Sequence, residues 1–321
     1  MDDADIRKLF EPLFADLRGN DSFPAKRPLL AHYTSVEVLE AILRNNEVWF
    51  SNPLFMNDIE EVRFGMIAGE NLFLSSPEIE SACGSKERSV KLKATFNYWY
   101  NQFVNDHLLD LYVLCMSEHA REDTDGRLSM WRGYGGNGKG AAIVFDTAKI
   151  VGLEDSPLII ANVHYGTRQA RTNWLQERVA QFANILASSN IPDDKLFLCS
   201  FYFFQRLKLF SIFTKHQGFE EEREWRVVYM KDRDTKNVFE NMFSYWVGPR
   251  GVEPKLKLKI QDFPGSLEMD VSLLKIVEGI ILGPSLSSPL ARGTLLRMLD
   301  QLGRPELMDR LMSSSIPFRA G

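Results

Sequence analysis

A chain of 321 residues, 45% hydrophobic and 25% charged, has ordinary globular composition and is long enough to bury a full core. Its net charge of -5 argues against the basic surface with which proteins generally grip nucleic acid, so no general nucleic-acid binding is expected, although a local basic groove would be compatible with it. Cys83, Cys115 and Cys199 are widely separated and lack Cys-x-x-Cys spacing, which excludes a disulfide framework or a zinc knuckle and fits a reducing compartment.

The start, Met1 to Asp5, is acidic and lacks the basic stretch and apolar run of a secretory signal. The most apolar region, Leu196–Phe213, is interrupted by Gln205, Arg206 and Lys208. A cytoplasmic protein without a membrane span is therefore expected. Apolar residues at helical spacing predict a leading helix over Ile6–Leu17, and Asp21–Pro28, with two prolines, reads as a connector.

A strand at Leu29–Thr34 carries His32, and a helix begins behind it, capped by Thr34 or Ser35, with Val36, Leu39, Ile42 and Leu43 at helical spacing. The chain then extends at Val48–Ser51 and turns at Asn52-Pro53. Asn57-Asp58 is a polar break before helical material to about Phe73, a loop surrounds Ser75–Ser85, and a long helix spans Glu87–Leu109. Its Phe96, Trp99, Tyr100 and Phe103 read as a core stripe.

Leu111–Ser117 and Ala141–Phe145 read as strands, separated by a charged loop and by a Gly-rich loop at Met130–Gly140. A strand at Leu158–Tyr165 precedes helices at Arg168–Ala187 and Asp193–Phe213. Further strands are predicted at Glu224–Met230, Phe243–Val247, Leu256–Ile260 and Ile276–Leu282, with short helices at the end. Lys255, Lys257 and Lys259 alternate with leucines, the pattern of a solvated, protected sheet edge.

These elements predict an α+β fold with mixed or antiparallel sheets and inserted helices. The expected division is an N-terminal helix and connector (1–28), a main domain (29–284) with helical insertions near 87–109 and 168–213, and a C-terminal helical tail (285–321).

Three stretches could carry chemistry. His32, with Tyr33 and Thr34, ends a strand before a helix N-terminus, where an imidazole and free N–H groups suit a ribose or phosphate; a lone histidine is equally served by backbone. Ser51 and Asn57 could line a polar pocket, although turn chemistry explains them as well.

In Met130–Gly140, five glycines permit close approach to a ligand, Trp131 and Tyr134 could stack on a planar base, and Arg132 and Lys139 could meet phosphate. The loop lacks the P-loop pattern, since Gly140 follows Lys139, and a Gly-rich hairpin is the competing reading. In Glu220–Arg226, a strand starting at Glu224 would put Glu222, Glu224 and Arg226 on one face, with the arginine keeping the carboxylates ionised. A solvated charge run is the alternative. The histidines show no zinc-binding spacing, so no metal is expected.

Together these stretches resemble a bacterial family known only as domain of unknown function 2971. The resemblance rests on His32-Tyr33-Thr34-Ser35, Trp49–Pro53, Phe55–Asp58, Cys115-Met116-Ser117, Met130–Tyr134, Gly140–Asp146, Glu222–Arg226 and Ile280–Pro284. It runs from Leu29 to Pro284 and implies no established activity. The order of a strand-end histidine, a mid-chain tyrosine among glycines and a late Glu-x-Glu is also similar to ADP-ribosyltransferases.

That second resemblance implies an ADP-ribosyltransferase-like fold with NAD as substrate. His32 would contact an NAD ribose and Tyr134 would lie near nicotinamide, a place that Tyr33 or Trp49 could also fill. Glu224 would bond the ribose beside the breaking bond, and Glu222 would orient the acceptor macromolecule. An ADP-ribosyltransferase or NAD-cleaving enzyme, acting as an intracellular toxin or anti-phage defence effector, is the leading expectation. A non-catalytic nucleotide- or partner-sensing module and a nuclease-type effector are the alternatives.

Overall fold

The structure is a computed structural model that describes residues 1–17, 28–56, 59–107, 110–152, 156–248, 251–261, 267–268 and 272–318. The connector at 21–27 and the Asn57-Asp58 break lie outside the described residues. In chain order the first elements are α1 (Asp3–Phe10), β1 (Leu29–Thr34), α2 (Val36–Asn45), β2 (Glu47–Ser51), α3 (Ile59–Ser75), α4 (Pro77–Cys83) and α5 (Lys86–Gln102). They are followed by β3 (Leu111–His119), α6 (Leu128–Gly133), β4 (Ala141–Phe145), β5 (Val151–Gly152), β6 (Leu158–Asn162), β7 (His164–Gly166), α7 (Arg168–Ser188) and α8 (Leu196–Phe213). The last are β8 (Thr214–His216), β9 (Glu224–Met230), β10 (Phe243–Gly248), β11 (Gly251–Lys259), β12 (Leu267–Glu268), α9 (Leu273–Ile276), β13 (Val277–Leu282), α10 (Pro289–Gln301) and β14 (Leu311–Ser313). The fold class is α+β.

Two compact units emerge, each assembled from three separate stretches of chain. Unit 1 comprises Met1–Asp21, Pro53–Asp110 and Val163–Phe219; unit 2 comprises Ser22–Asn52, Leu111–Asn162 and Glu220–Gly321. The leading helix therefore belongs to the helical unit rather than forming a separate N-terminal piece, and the two helical insertions fall in the same unit.

Unit 1 is built around α8, whose apolar residues run almost all the way round, as a fully buried helix requires. Its length and composition match those of a membrane-crossing helix, but 72% of the apolar window is buried inside the structure. It is the centre of an aromatic core. Phe73 of α3 stacks on Phe96 of α5 at 4.2 Å and meets Phe203 of α8 at 4.7 Å. Each such pair adds about 0.5–1.5 kcal/mol beyond the burial of its area.

Close approach of α3 to α8 depends on Gly69, where a Cβ would stand 2.1 Å from Leu207 Cδ1. The region around Ser75–Ser85, expected as a loop, contains α4. Ser76 accepts a hydrogen bond from the Ile79 N–H, Pro77 takes the first turn and Gly84 ends the helix in the left-handed region. These are ordinary helix signals carried on a short segment.

In unit 2, among the described residues, ten strands form one sheet with the main order β10-β11-β2-β3-β1-β4-β13-β14; β9 pairs with β3, and β6 with β9. All neighbours are antiparallel except β13 and β14. The C-terminal stretch is helical as expected through α10, but it is no loose tail: β14 extends the sheet, and Leu307 and Leu311 join the core. The chain reaches β2 from β1 through α2, whose N-cap Ser35 accepts from the Val38 N–H and whose Leu39, Ile42 and Leu43 are buried. These residues pack with Leu30, Met116, Ile143 and Trp225 against one sheet face, while Trp131, Tyr33 and Ala31 form a smaller cluster.

Candidate functional site

Strand β3 changes neighbour along its length, and this opens a fork. Along one edge, Leu111–Ser117 pair continuously with β9. Along the other, Val113 pairs with Ser51 of β2, whereas Ser117–His119 pair with Ala31–Leu29 of β1. Neither β1 nor β2 pairs with the intervening Leu114–Met116. At that gap the Cys115 carbonyl accepts a hydrogen bond from His32 Nδ1 at 2.9 Å.

A carbonyl can only accept, so Nδ1 carries the proton and Nε2 of the neutral ring is left as an acceptor. Burial pulls the His32 pKa below its usual value, with the Cys115 hydrogen bond opposing. The neutral form is thereby favoured. His32 is a half-buried residue with its ring fixed at one end, whereas Thr34 and Tyr33 beside it are buried.

Across β3, Glu224 stands opposite Ser117 and Arg226 opposite Cys115. Strand alternation gives these four residues a common face, together with Ala31, and gives His32 the opposite parity; its ring turns to the β3 backbone instead. Glu224 and Arg226 are only 4% and 2% exposed. Arg226 Nε and Nη2 donate to Glu224 Oε1 and Oε2 at 2.8 and 3.0 Å, a two-point guanidinium–carboxylate pair.

Glu222 precedes the strand and is half-buried. Its carboxylate accepts from Tyr134 Oη at 3.1 Å, and its carbonyl accepts from Ser117 Oγ at 2.6 Å. Between the two glutamates, Arg223 adopts φ 42°, a left-handed conformation unusual for a residue with a side chain. The turn there separates Glu222 from the strand, so the expected single row of Glu222, Glu224 and Arg226 begins only at Glu224.

The Gly-rich segment has two parts. Met130–Gly133 belongs to α6 rather than to a loop. Trp131 is completely buried, so its expected stacking on a ligand is replaced by packing. Its ring meets Tyr33 edge-on at 4.7 Å, and its Nε1 donates to the Asp125 carbonyl at 2.8 Å. Tyr33 Oη in turn accepts from the Arg127 N–H, so both rings brace the segment.

Arg132 is exposed, with its guanidinium 5.3 Å from the Phe318 ring centroid. The glycine at 140 has a packing reason: a Cβ there would lie 2.2 Å from the Thr34 carbonyl oxygen. Loop and β1 end are thus pressed together, leaving Tyr134 half-buried against Glu222.

Ser51 belongs to a neighbouring polar group that the lysine pattern concealed. The lysine-bearing β11 lies between β10 and β2 and is no edge. Lys255 is buried and donates to Ser51 Oγ at 2.8 Å and to Glu253 Oε2 at 3.0 Å. Lys259 reaches Glu47 at 2.8 Å, and Lys257 lies over the Trp49 ring. Alternating lysines look alike on a solvated edge and on a strand with glutamate partners; the missed signals were Glu253, two residues before Lys255 on β11 itself, and Glu47, distant in sequence on β2. Asn57 lies outside the described residues. Among them no group of three metal-ligating side chains occurs.

The structure therefore joins Tyr134, Glu222, Glu224 and Arg226 around Ser117 and ties His32 to the Cys115 carbonyl from the opposite strand parity. It assigns Trp131 and Tyr33 to packing and pairs Ser51 with Lys255. The model of a family described as "Protein of unknown function (DUF2971)" matches residues 130–227. No curated protein and no solved structure matches the chain significantly. The matched stretch holds Trp131, Tyr134, Glu222, Glu224 and Arg226 but not His32, and over that stretch it supports the relationship to the family read from the sequence.

Proposed function

We propose that unit 2 binds NAD at the β3 fork and cleaves it, as an ADP-ribosyltransferase or an NAD glycohydrolase. The observation that carries this reading is that an imidazole, a tyrosine-held carboxylate and a buried ion pair are each anchored on the Cys115–Ser117 stretch of β3, His32 through the Cys115 carbonyl and from the opposite strand parity. His32 Nε2 would accept from a ribose hydroxyl. Glu222, the more accessible carboxylate, would face the sugar with Tyr134 fixing its orientation. Glu224, held at both oxygens by Arg226, would keep the strand end in place beside the sugar.

In the reaction the bond from ribose C1′ to the nicotinamide nitrogen breaks, and its electron pair leaves with neutral nicotinamide. The sugar passes through an oxocarbenium-like state that a nearby carboxylate stabilises. Water or a hydroxyl or amine of an acceptor then donates a lone pair to C1′ and gives its proton to Glu222. Consumption of cellular NAD in this way would make the protein a toxin or anti-phage effector.

The test is incubation of the purified chain with NAD and chromatography of free nicotinamide and ADP-ribose. Release by the native chain and a loss of about 100-fold or more in Glu222→Gln, with folding intact, is the expected result. A second reading, a nucleotide-sensing module without turnover, is favoured by one observation: Arg226 engages both oxygens of Glu224. A melting shift with NAD but no nicotinamide release would establish that reading instead.

A further inference from the structure

Unit 1 contains a half-enclosed cavity of about 330 Å3, a volume suited to a small molecule. Two guanidiniums, Arg171 and Arg206, and one carboxylate, Asp16, line it, with Trp174, Phe210 and Phe213 supplying apolar wall. Arg171 and Trp174 lie three residues apart on α7. Arg206, Phe210 and Phe213 follow at intervals of four and three on α8, so each helix offers one face to the cavity.

Arg206 is held in place. Its Nε donates to the Leu13 carbonyl at 2.9 Å and its Nη2 to Asp16 Oδ2 at 2.5 Å. Its guanidinium is 4.3 Å from the Trp174 ring centroid, and that ring also stacks on Phe210 at 4.3 Å. Burial drives the Arg206 pKa down to about 10 against the opposing Asp16, so additional negative charge near it is favoured. Arg171 is buried too and lies over the Phe64 ring at 4.2 Å. A planar aromatic body suits the ring-lined wall, and a planar guanidinium fork suits a carboxylate or phosphate.

We propose that this cavity is a binding site for a small aromatic anion, with its carboxylate or phosphate at Arg171 and Arg206 and its ring against Phe210 and Phe213. The site goes beyond the NAD reading and concerns binding alone, so it stands or falls separately from turnover in unit 2.

Isothermal titration of the full chain tests it with indole-3-acetate and phenyl phosphate, beside the neutral indole-3-ethanol and phenol. One-to-one binding of at least one anionic probe is expected, with its neutral counterpart weaker by about tenfold or more, because a charge-assisted hydrogen bond is lost. Arg171→Met should weaken binding by a similar factor. Ala170 is exposed and lines the cavity, so Ala170→Trp should block it while the helix folds normally, as circular dichroism would verify. No binding of either anion at millimolar concentration, equal binding of the neutral compounds, or undiminished binding to folded Ala170→Trp would overturn the proposal.

Discussion

Unit 1 and unit 2 solve the problem of burial in different ways. In unit 1 the centre is made of rings: Phe73, Phe96, Phe182 and Phe203 touch one another. In unit 2 apolar packing surrounds β3, yet its middle carries a buried ion pair, a backbone-bound histidine and a carboxylate held by a tyrosine. Rings gain stability simply by leaving water, whereas buried charges cost desolvation and are stable only with complete partners. Unit 1 carries buried charge as well, Arg206 with Asp16 and Arg171 over Phe64, so the contrast lies between the ring centre of unit 1 and the polar middle of β3.

The sharpest way to break the contrast is to remove one partner in each unit. Arg226→Met leaves the Glu224 carboxylate buried without its two-point partner and should destabilise the protein by about 3–5 kcal/mol in chemical denaturation. The double variant with Glu224→Leu should recover much of that loss, since it removes the stranded charge. A double variant as unstable as the single one would mean that the pair is a net stabiliser like the ring cluster. Phe73→Ala tests the other unit: loss of a fully buried ring should cost about 3–5 kcal/mol through the cavity it leaves. A cost below 1 kcal/mol would show that the aromatic centre collapses around the gap.

A smaller effect is expected at the contact between loop and strand. Gly140→Ala places a methyl group against the Thr34 carbonyl, and backbone oxygen cannot swing away as a side chain can. The expected cost is about 1–3 kcal/mol, with a change in the environment of the neighbouring Tyr134. An unchanged melting temperature would mean that the loop shifts freely and does not set the position of Tyr134.

The smallest effect is the pH dependence carried by His32. Burial lowers its folded-state pKa, so the unfolded chain takes up a proton at a higher pH than the folded chain does. Stability should therefore fall as pH drops from about 6.5 toward the lowered folded value. His119 is shifted in the same direction, chiefly by burial, with Asp123 opposing. His32→Gln keeps the His119 share and should flatten the remainder of the slope between about pH 7 and 5 in parallel denaturant titrations. An identical slope would place the ring in water-like surroundings.

Much of the local structure was legible from sequence because its signals are local. Ala141–Phe145 and Glu224–Met230 are strands with the expected ends, and α8 ends at Phe213 as its apolar run implies. The fork was not legible, because it arises from pairings between residues far apart: Ser51 with Val113, Ala31 with Ser117 and Arg226 with Cys115. Each strand reads normally by itself; only the change of neighbour along β3 opens the gap. The glycines of the loop were legible as unusual, but their reason, contact with the end of β1, depends on the same long-range pairing. Composition likewise suggested Trp131 as a ligand platform, while its burial beside Tyr33 follows from the third dimension.

The most direct test of the fork as an NAD site is a nitrogen-15 NMR titration of the histidine-labelled chain with NAD, with His32 assigned through His32→Gln. The account predicts a saturable shift of the His32 Nε2 resonance, while His164 and His216 of unit 1 do not move. A spectrum unchanged at saturating NAD, or shifts confined to His164 and His216, would contradict it.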